Sequence, residues 1–295
     1  MYGGDSDGTV QTNRLVCFQK FPNTVAARLR HSAHAGTQVF LCLFDRQDGN
    51  EQTQMKDIDQ ELIATALPFW ETEAKIVRRF FQSKPTREDH IFWLQAQLWK
   101  ELHPVDGYFT GLQKELNNLA ASFPEIDKSI SRRQYHSLLE QLTQEFNHYV
   151  LMADVLEYLL GHPVSAEDTF QLPQEKKLGD LRRDYASSGS TVDKAAVLVT
   201  EGGGARMFRE GRKLKGGRLE TMIARAMEVV YQDEKNHYKK AAQDAARAVG
   251  TKQDLERMKH AVREISLQRV YMRNEMFKEP LTSAEIESSI ASHSR

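Results

Sequence analysis

Two glutamate–histidine pairs with the same spacing are the residues of this chain best suited to chemistry. Glu145 precedes His148 by three positions, and Glu234 precedes His237 by the same number. In a helix this spacing brings both side chains to one face. Carboxylate oxygens and neutral imidazole nitrogens suit iron or manganese better than a metal that prefers thiolates. Each pair therefore predicts one half of a metal site.

Apolar stripes surround both pairs, and two further stripes each contain one glutamate, Glu101 or Glu201. About one Glu-x-x-His sequence is expected by chance among 10 histidines, so the prediction depends on finding two copies on apolar helix faces. Four buried carboxylates need a counter-charge, which two divalent cations supply. The predicted ligands are Glu101, Glu145, His148, Glu201, Glu234 and His237.

Four long helices are expected to position these ligands. Apolar residues recur every three or four positions and predict helices at about 88–122, 131–160, 192–215 and 218–249. Bundles that hold two such metals take one glutamate from each of two helices and Glu-x-x-His from each of the other two. No segment has the alternation of a strand. The sequence therefore predicts an all-α four-helix bundle that binds two iron ions, or iron with manganese.

Further helical patterns flank the predicted bundle. One runs from about 56 to 82 and is expected to kink at Pro68, while Thr86 can cap the first bundle helix. Another runs from about 252 to 277, and a short helix follows Pro280. Residues 162–190 predict a long polar connection. The predicted segments are a flexible tail at 1–15, an N-terminal helical extension at 16–86, the bundle at 87–250 and a C-terminal helical extension at 251–295.

Composition limits the partners of the chain. Lys and Arg total 40 against 41 for Asp and Glu, so no net charge attracts nucleic acid or an anionic membrane. Cys17 and Cys42 form no metal motif and no disulfide framework, which suits a reducing compartment. The first residues lack the features of a signal peptide, and no apolar run is long enough to span a bilayer. We expect a cytoplasmic protein without nucleic-acid or membrane partners.

Three sequence segments resemble the ferritin-like di-iron superfamily, which includes bacterioferritins, rubrerythrins and di-iron oxidases and oxygenases. QLWKELHPVDGYF (97–109) is similar to the first ligand segment of ferritins, and QEFNHYVLMADVLEYLLGHP (144–163) to their second ligand helix. DEKNH (233–237) is similar to the Asp-Glu-x-x-His of the family. The resemblance covers roughly residues 88–249. It implies a ferritin-like bundle with additional helices at both ends.

The resemblance also implies a role for each ligand. Glu145 and Glu234 would bridge the two metal ions. Each metal ion would have one terminal glutamate and one terminal histidine. The terminal pairs would be Glu101 with His148 and Glu201 with His237.

Two further residues would contact the ligands if the resemblance holds. Asp233 would accept a hydrogen bond from His148, and Gln144 would contact His237. Such contacts fix the tautomer and the orientation of a ligand ring. Pro104 departs from the family pattern and should kink the helix after Glu101. Asp106 and Glu115 remain alternatives to Glu101 as the ligand of that helix.

The function implied by the resemblance is that of a non-haem di-iron oxidase or oxygenase. Dioxygen would be the co-substrate, a small organic molecule the substrate, and an external protein or reductant the electron donor. Glu201 is followed by Gly202, Gly203 and Gly204, and each glycine in a helix costs about 1 kcal/mol relative to alanine. The triplet could open a substrate pocket beside the metals or could permit close helix packing. Both interpretations remain open.

Two other functions remain alternatives. A ferritin-like ferroxidase, iron-storage or peroxide-scavenging protein would use the same six ligands without an organic substrate. A non-catalytic helical scaffold would use the carboxylates only in structural ion pairs. The sequence leaves open the substrate, the reaction type, the electron donor and the oligomeric state, a homodimer among the options.

Overall fold

The described part of the chain is helical. The computed structural model describes residues 49–103, 110–123 and 132–294, which belong to one compact unit. Every regular element in these ranges is a helix and none is a strand, which confirms the predicted all-α class. None of these helices combines the length and the apolar composition needed to cross a bilayer. The predictions for the tail, for the cysteines and for residues 16–48 lie outside the described ranges.

Eleven α-helices and one short 3₁₀-helix make up the regular structure of these ranges. The 3₁₀-helix is Ala166–Asp168. In chain order the α-helices are α1 (Gly49–Gln82), α2 (Arg87–Leu102), α3 (Thr110–Ser122), α4 (Arg132–Leu160), α5 (Pro173–Ser187), α6 (Thr191–Val199), α7 (Gly202–Gly211), α8 (Arg218–Glu234), α9 (His237–Ala246), α10 (Lys252–Met276) and α11 (Ser283–His293).

Capping residues define where several helices begin. Thr86 accepts a hydrogen bond from the backbone N–H of Asp89, whose carboxylate accepts one from the Thr86 backbone N–H, so α2 begins where the sequence predicts. The same reciprocal cap begins α10 at Thr251 and α11 at Thr282. Both predicted C-terminal helices are therefore found. α1 begins at Gly49, earlier than predicted, and continues through Pro68 as one helix.

Helices α1 and α10 run in the same direction and pack against each other along their length. Lys259 in the first half of α10 donates to Glu61 in the first half of α1 at 2.6 Å. Near their ends the Phe80 and Phe277 rings are 4.9 Å apart. Both helices also contact α6, while α1 contacts α7, α9 and α11 and α10 contacts α2 and α5. The sequence pattern places α1 and α10 in terminal extensions, yet in the structure these two helices contact most of the other helices.

Helix α4 runs antiparallel to both α2 and α8. Arg87 at the start of α2 donates to the carbonyl of Leu159 near the end of α4. Arg218, the first residue of α8, places its guanidinium 4.8 Å from the centre of the Tyr158 ring. The last residues of α2 and α8 therefore lie beside the middle of α4.

Three of the four predicted long helices are interrupted, which corrects the prediction of continuous helices. The first ends at Leu102. Residues 104–109, which include Pro104 and Asp106, lie outside the described ranges. Proline has no backbone N–H for the bond to the carbonyl four residues earlier, which accounts for the end of α2. The third is broken at residues 200–201 and the fourth at residues 235–236. Only the helix predicted at 131–160 is continuous.

The predicted connection at 162–190 contains helix α5, so this segment is another correction. Pro173 at the first helical position favours helix initiation because its fixed φ suits a helix. Leu178 is fully buried, and the backbone N–H of Gln174 donates to Glu275 at 2.7 Å. Tyr185 at the other end of α5 donates to Glu264. Contacts with α10 therefore hold a polar segment in a helical conformation.

Candidate metal centre

The described side chains form two groups that could each hold one metal ion. Glu101, Glu145 and His148 each offer one ligand atom, and these three atoms lie within 4.8 Å of one another. Glu145, Glu234 and His237 meet the same criterion. Glu145 belongs to both groups. The geometry therefore provides two adjacent positions that share a carboxylate.

The position of each ligand follows from its place on a helix. Glu145 and His148 lie one turn apart on the continuous helix α4, so they share a face. Glu101 is in the last turn of α2 and Glu234 is the last residue of α8. His237 begins α9 after the two-residue break. Because the carboxyl end of a helix carries partial negative charge, two helix ends at this site favour a cation.

The ring of His148 is held in one orientation. Its side chain is only 1% exposed, and Nε2 lies 3.1 Å from Asp233 Oδ2, so the pair implied by the resemblance is in contact. An ionised carboxylate only accepts hydrogen bonds, so Nε2 carries the proton. Nδ1 lies 3.5 Å from Glu145 Oε2 and 3.9 Å from Glu234 Oε1. Nδ1 is therefore the ring nitrogen available to a metal ion.

His237 has a different partner from the one expected. Its Nδ1 lies 3.2 Å from Glu234 Oε2, within the same Glu-x-x-His pair. No hydrogen bond between Gln144 and His237 is found among the described residues. The ring of His237 is thus oriented by the contact between its Nδ1 and the neighbouring ligand.

The carboxylates raise the pKa of both histidines. Burial alone would lower the pKa of His148, but hydrogen bonding to Glu145 and the charge of Glu101 raise that pKa to about 9. A hydrogen bond to Glu234 raises the pKa of His237. Burial, together with the charge of Glu145, raises the pKa of the Glu101 carboxyl. The cluster thus attracts positive charge, and metal ions would displace the bound protons.

Glu201 lies near the other ligands but in neither group. It precedes α7 at the break after α6, and its side chain is 41% exposed. Arg182 of α5 donates to it at 3.0 Å. Its charge is close enough to contribute to the raised pKa of His237. The structure therefore brings together five of the six predicted ligands and pairs the sixth with an arginine.

No family model matches the chain, and no curated protein or solved structure matches it. The resemblance to ferritin-like proteins therefore stays a prediction from the three sequence segments.

The glycine triplet lies where α7 packs closely against α1. A Cβ added to Gly202 would stand 2.6 Å from the ring of Trp70. One added to Gly203 would stand 1.8 Å from Oε1 of Glu73, while one on Gly204 would make only ordinary contacts. Close helix packing thus accounts for two of the three glycines. Of the two interpretations of the triplet, this geometry favours packing over a pocket.

A group of buried charges was not predicted from the sequence. It consists of Glu73 on α1 and of Arg269 and Arg273 on α10, and we call it the buried charge cluster. Arg269 Nε lies 3.4 Å and Arg273 Nε 3.2 Å from the Glu73 carboxylate. Arg273 also donates to Gln97, which in turn donates to Glu101. In the sequence, the signal for this cluster was the i, i+4 spacing of the two arginines within an apolar stripe.

Two surface grooves lie away from the ligand groups. One of about 470 Å³ includes Arg212, Lys215 and Arg225 in its lining. Another of about 320 Å³ includes His90 and Tyr158. Neither groove is lined by any of the six predicted ligands. The side chain of Glu145, which belongs to both ligand groups, is 40% exposed.

Proposed function

We propose that this chain is a di-metal carboxylate protein that binds two iron ions, or iron with manganese, and uses dioxygen to oxidise a small organic substrate. The observation that carries the proposal is the pair of ligand groups joined by Glu145. Carboxylate and imidazole donors in this ratio suit iron or manganese. An external electron donor would complete the cycle. Bound ferrous ions would supply the electrons and the Lewis acidity that the reaction of dioxygen requires.

The charges of the site fit two divalent cations. Glu101, Glu145 and Glu234 provide three negative charges within the two groups. Glu201 would provide the fourth if its side chain rotated away from Arg182, and its exposure leaves room for that rotation. Two divalent ions would then be neutralised by four carboxylates, with the histidines uncharged. With this change of partner, Glu201 and His237 would form the second predicted terminal pair.

The packing of α2, α4 and α8 supports a ferritin-like bundle as the scaffold. α4 lies antiparallel to both of its neighbours, as expected of adjacent helices in such a bundle. The segment α6–α7 would supply the fourth helix, broken beside Glu201. On this proposal α1 and α10 are additional helices that pack beside the bundle.

A ferroxidase or iron-storage function is the second candidate, and two observations favour it. The exposed Glu145 gives iron from solvent direct access to the site. Two glycines of the triplet, Gly202 and Gly203, are accounted for by packing against Trp70 and Glu73, which leaves less support for a substrate pocket. Both functions require the same metal site. They differ in whether an organic molecule is oxidised.

Metal content per chain tests the proposal. The metal-free protein would be loaded anaerobically with ferrous iron, desalted and measured by mass spectrometry beside two variants. Glu145→Gln removes the shared ligand, while Glu140→Gln makes the same change at an exposed position of α4. We expect about two irons in the wild type and in Glu140→Gln, and fewer than about one in Glu145→Gln. Wild-type protein without stoichiometric iron would refute the proposal and leave a helical scaffold.

Oxygen consumption then separates the two candidate functions. With a chemical reductant and a panel of small organic molecules, an oxidase or oxygenase consumes oxygen in proportion to an organic product. A ferroxidase instead oxidises iron far beyond two ions per chain, with no organic product. The Glu145→Gln variant is the blank for both reactions.

A further inference from the structure

Gln97 connects the candidate metal site to the buried charge cluster. It lies on α2 one turn before Glu101, and its side chain is buried, with 2% exposure. Its Nε2 donates to Glu101 Oε1, and its Oε1 accepts from Arg273 Nη1 at 3.2 Å. Arg273 in turn donates to Glu73 at 3.2 Å. A continuous series of hydrogen bonds therefore runs from α1 through α10 to the ligand on α2.

The orientation of the Gln97 amide is determined by its neighbours. A glutamine amide can often be placed either way round, because its oxygen and nitrogen are similar in size. Here a guanidinium group is one neighbour, and guanidinium nitrogens only donate. The amide oxygen must therefore face Arg273. The amide nitrogen then faces Glu101 and can only donate to it.

We propose that Gln97 is a positioning residue that holds one oxygen of Glu101 and leaves the other for the metal ion shared with Glu145 and His148. This inference rests on the proposed metal site. A hydrogen bond to one oxygen restricts rotation of the carboxylate and favours ligation through the free oxygen. Outer partners of this kind change metal affinity by about 10–100-fold.

The charge behind Gln97 supports this role. The Arg273 guanidinium that donates to Gln97 is held by the Glu73 carboxylate, which also accepts from Arg269. All three side chains are buried, so solvent screens these interactions weakly. The Arg273 guanidinium polarises the Gln97 amide towards Glu101 and strengthens the hydrogen bond to that carboxylate. This arrangement would keep Glu101 suited to bind a cation although the residue lies among apolar helices.

A purely structural role is the competing explanation, in which Gln97 only satisfies Arg273. Metal binding distinguishes the two, because a structural role affects stability and leaves the metal ligands unchanged. Gln97→Met has a similar shape and removes both hydrogen bonds. Gln95→Met makes the same change on the same helix at a partly exposed position. If Gln97→Met does not fold, Gln97→Glu replaces it, since that variant keeps an acceptor for Arg273.

The experiment is a titration of each metal-free protein with Co²⁺, followed by visible absorption and by calorimetry. We expect two Co²⁺ sites in the wild type and in Gln95→Met. In the Gln97 variant one of the two sites should bind at least about 10-fold more weakly, with an altered cobalt spectrum. Two sites of wild-type affinity and spectrum in the Gln97 variant would overturn the inference. A wild-type protein that binds no Co²⁺ would instead refute the metal site itself.

Discussion

Replacing Glu73 by glutamine is expected to cost a large part of the stability of the metal-free protein. The Glu73 carboxylate is fully buried and accepts from two buried guanidinium groups, those of Arg269 and Arg273. Without it, two positive charges remain in the core with only a neutral partner. Removing one member of a buried ion pair costs about 3–5 kcal/mol. At about 2–4 °C per kcal/mol, Tm should fall by roughly 6–20 °C.

Glu71 offers a matched control on the same helix. Its carboxylate also accepts from two arginines, Arg206 at 2.9 Å and Arg209 at 2.8 Å. Its side chain is 22% exposed, so solvent can replace lost hydrogen bonds. Because exposed and partly exposed ion pairs contribute little, Glu71→Gln should cost about 1 kcal/mol or less. The two variants differ mainly in burial.

Thermal and urea unfolding of the metal-free proteins, followed by far-ultraviolet circular dichroism, measures both effects. The reasoning predicts a much lower Tm for Glu73→Gln than for Glu71→Gln at neutral pH. Melting temperatures of the two variants within about 2 °C of each other would refute it. That result would mean that burial does not determine the cost of breaking these pairs.

Two further predictions concern stability. Gly203→Ala should destabilise the protein by about 1–3 kcal/mol, because its Cβ would stand 1.8 Å from a carboxylate of the buried charge cluster. Gly204→Ala should instead stabilise it by up to about 1 kcal/mol. Chemical denaturation would measure both changes. A hydrogen bond from Lys278 lowers the pKa of Asp89 from 3.8 to about 2. The ionised Asp89 carboxylate therefore stabilises the fold fully above about pH 4, and this stabilisation is lost as the pH falls through about 2. Asp89→Asn should cost about 0.5–1 kcal/mol at neutral pH and cancel that part of the acid dependence, which unfolding at several pH values would detect.

A different result would contradict each of these two predictions. Equal stability of Gly203→Ala and Gly204→Ala would show that α7 can move away from α1 without loss. An acid dependence of the same size in Asp89→Asn as in the wild type would show that the bond to Lys278 does not contribute to stability.

Local sequence patterns predict the features that depend on one helix at a time. The spacing of Glu145 and His148 on an apolar face predicts that they lie one turn apart on a helix, as they do on α4. Glu234 and His237 have the same spacing, although the helix break at residues 235–236 separates them. The all-α class and the helices at 252–276 and 283–293 follow from periodicity. Each of these predictions needs only the three- and four-residue neighbours of a position.

Features that depend on distant parts of the chain could not be predicted in this way. The pairing of Glu201 requires Arg182, which comes from a segment that reads as a connection. The break at residues 235–236 has no glycine or proline to mark it. The carboxylate that pairs with Arg269 and Arg273 lies on α1, at 196 and 200 positions from them in sequence. In each case the deciding partner is far away in sequence.

The parallel pairing of α1 and α10 has a consequence for how the chain reaches its folded state. The two bonds to the Glu73 carboxylate join residues separated by 196 and 200 positions. Contacts of such separation form late, because a long loop must close before they contribute. Until α10 is in place, Glu73 has neither arginine, and Gln97 has no guanidinium to orient its amide. The hydrogen bonds that hold Glu101 through Gln97 are therefore complete only when α10 is in place.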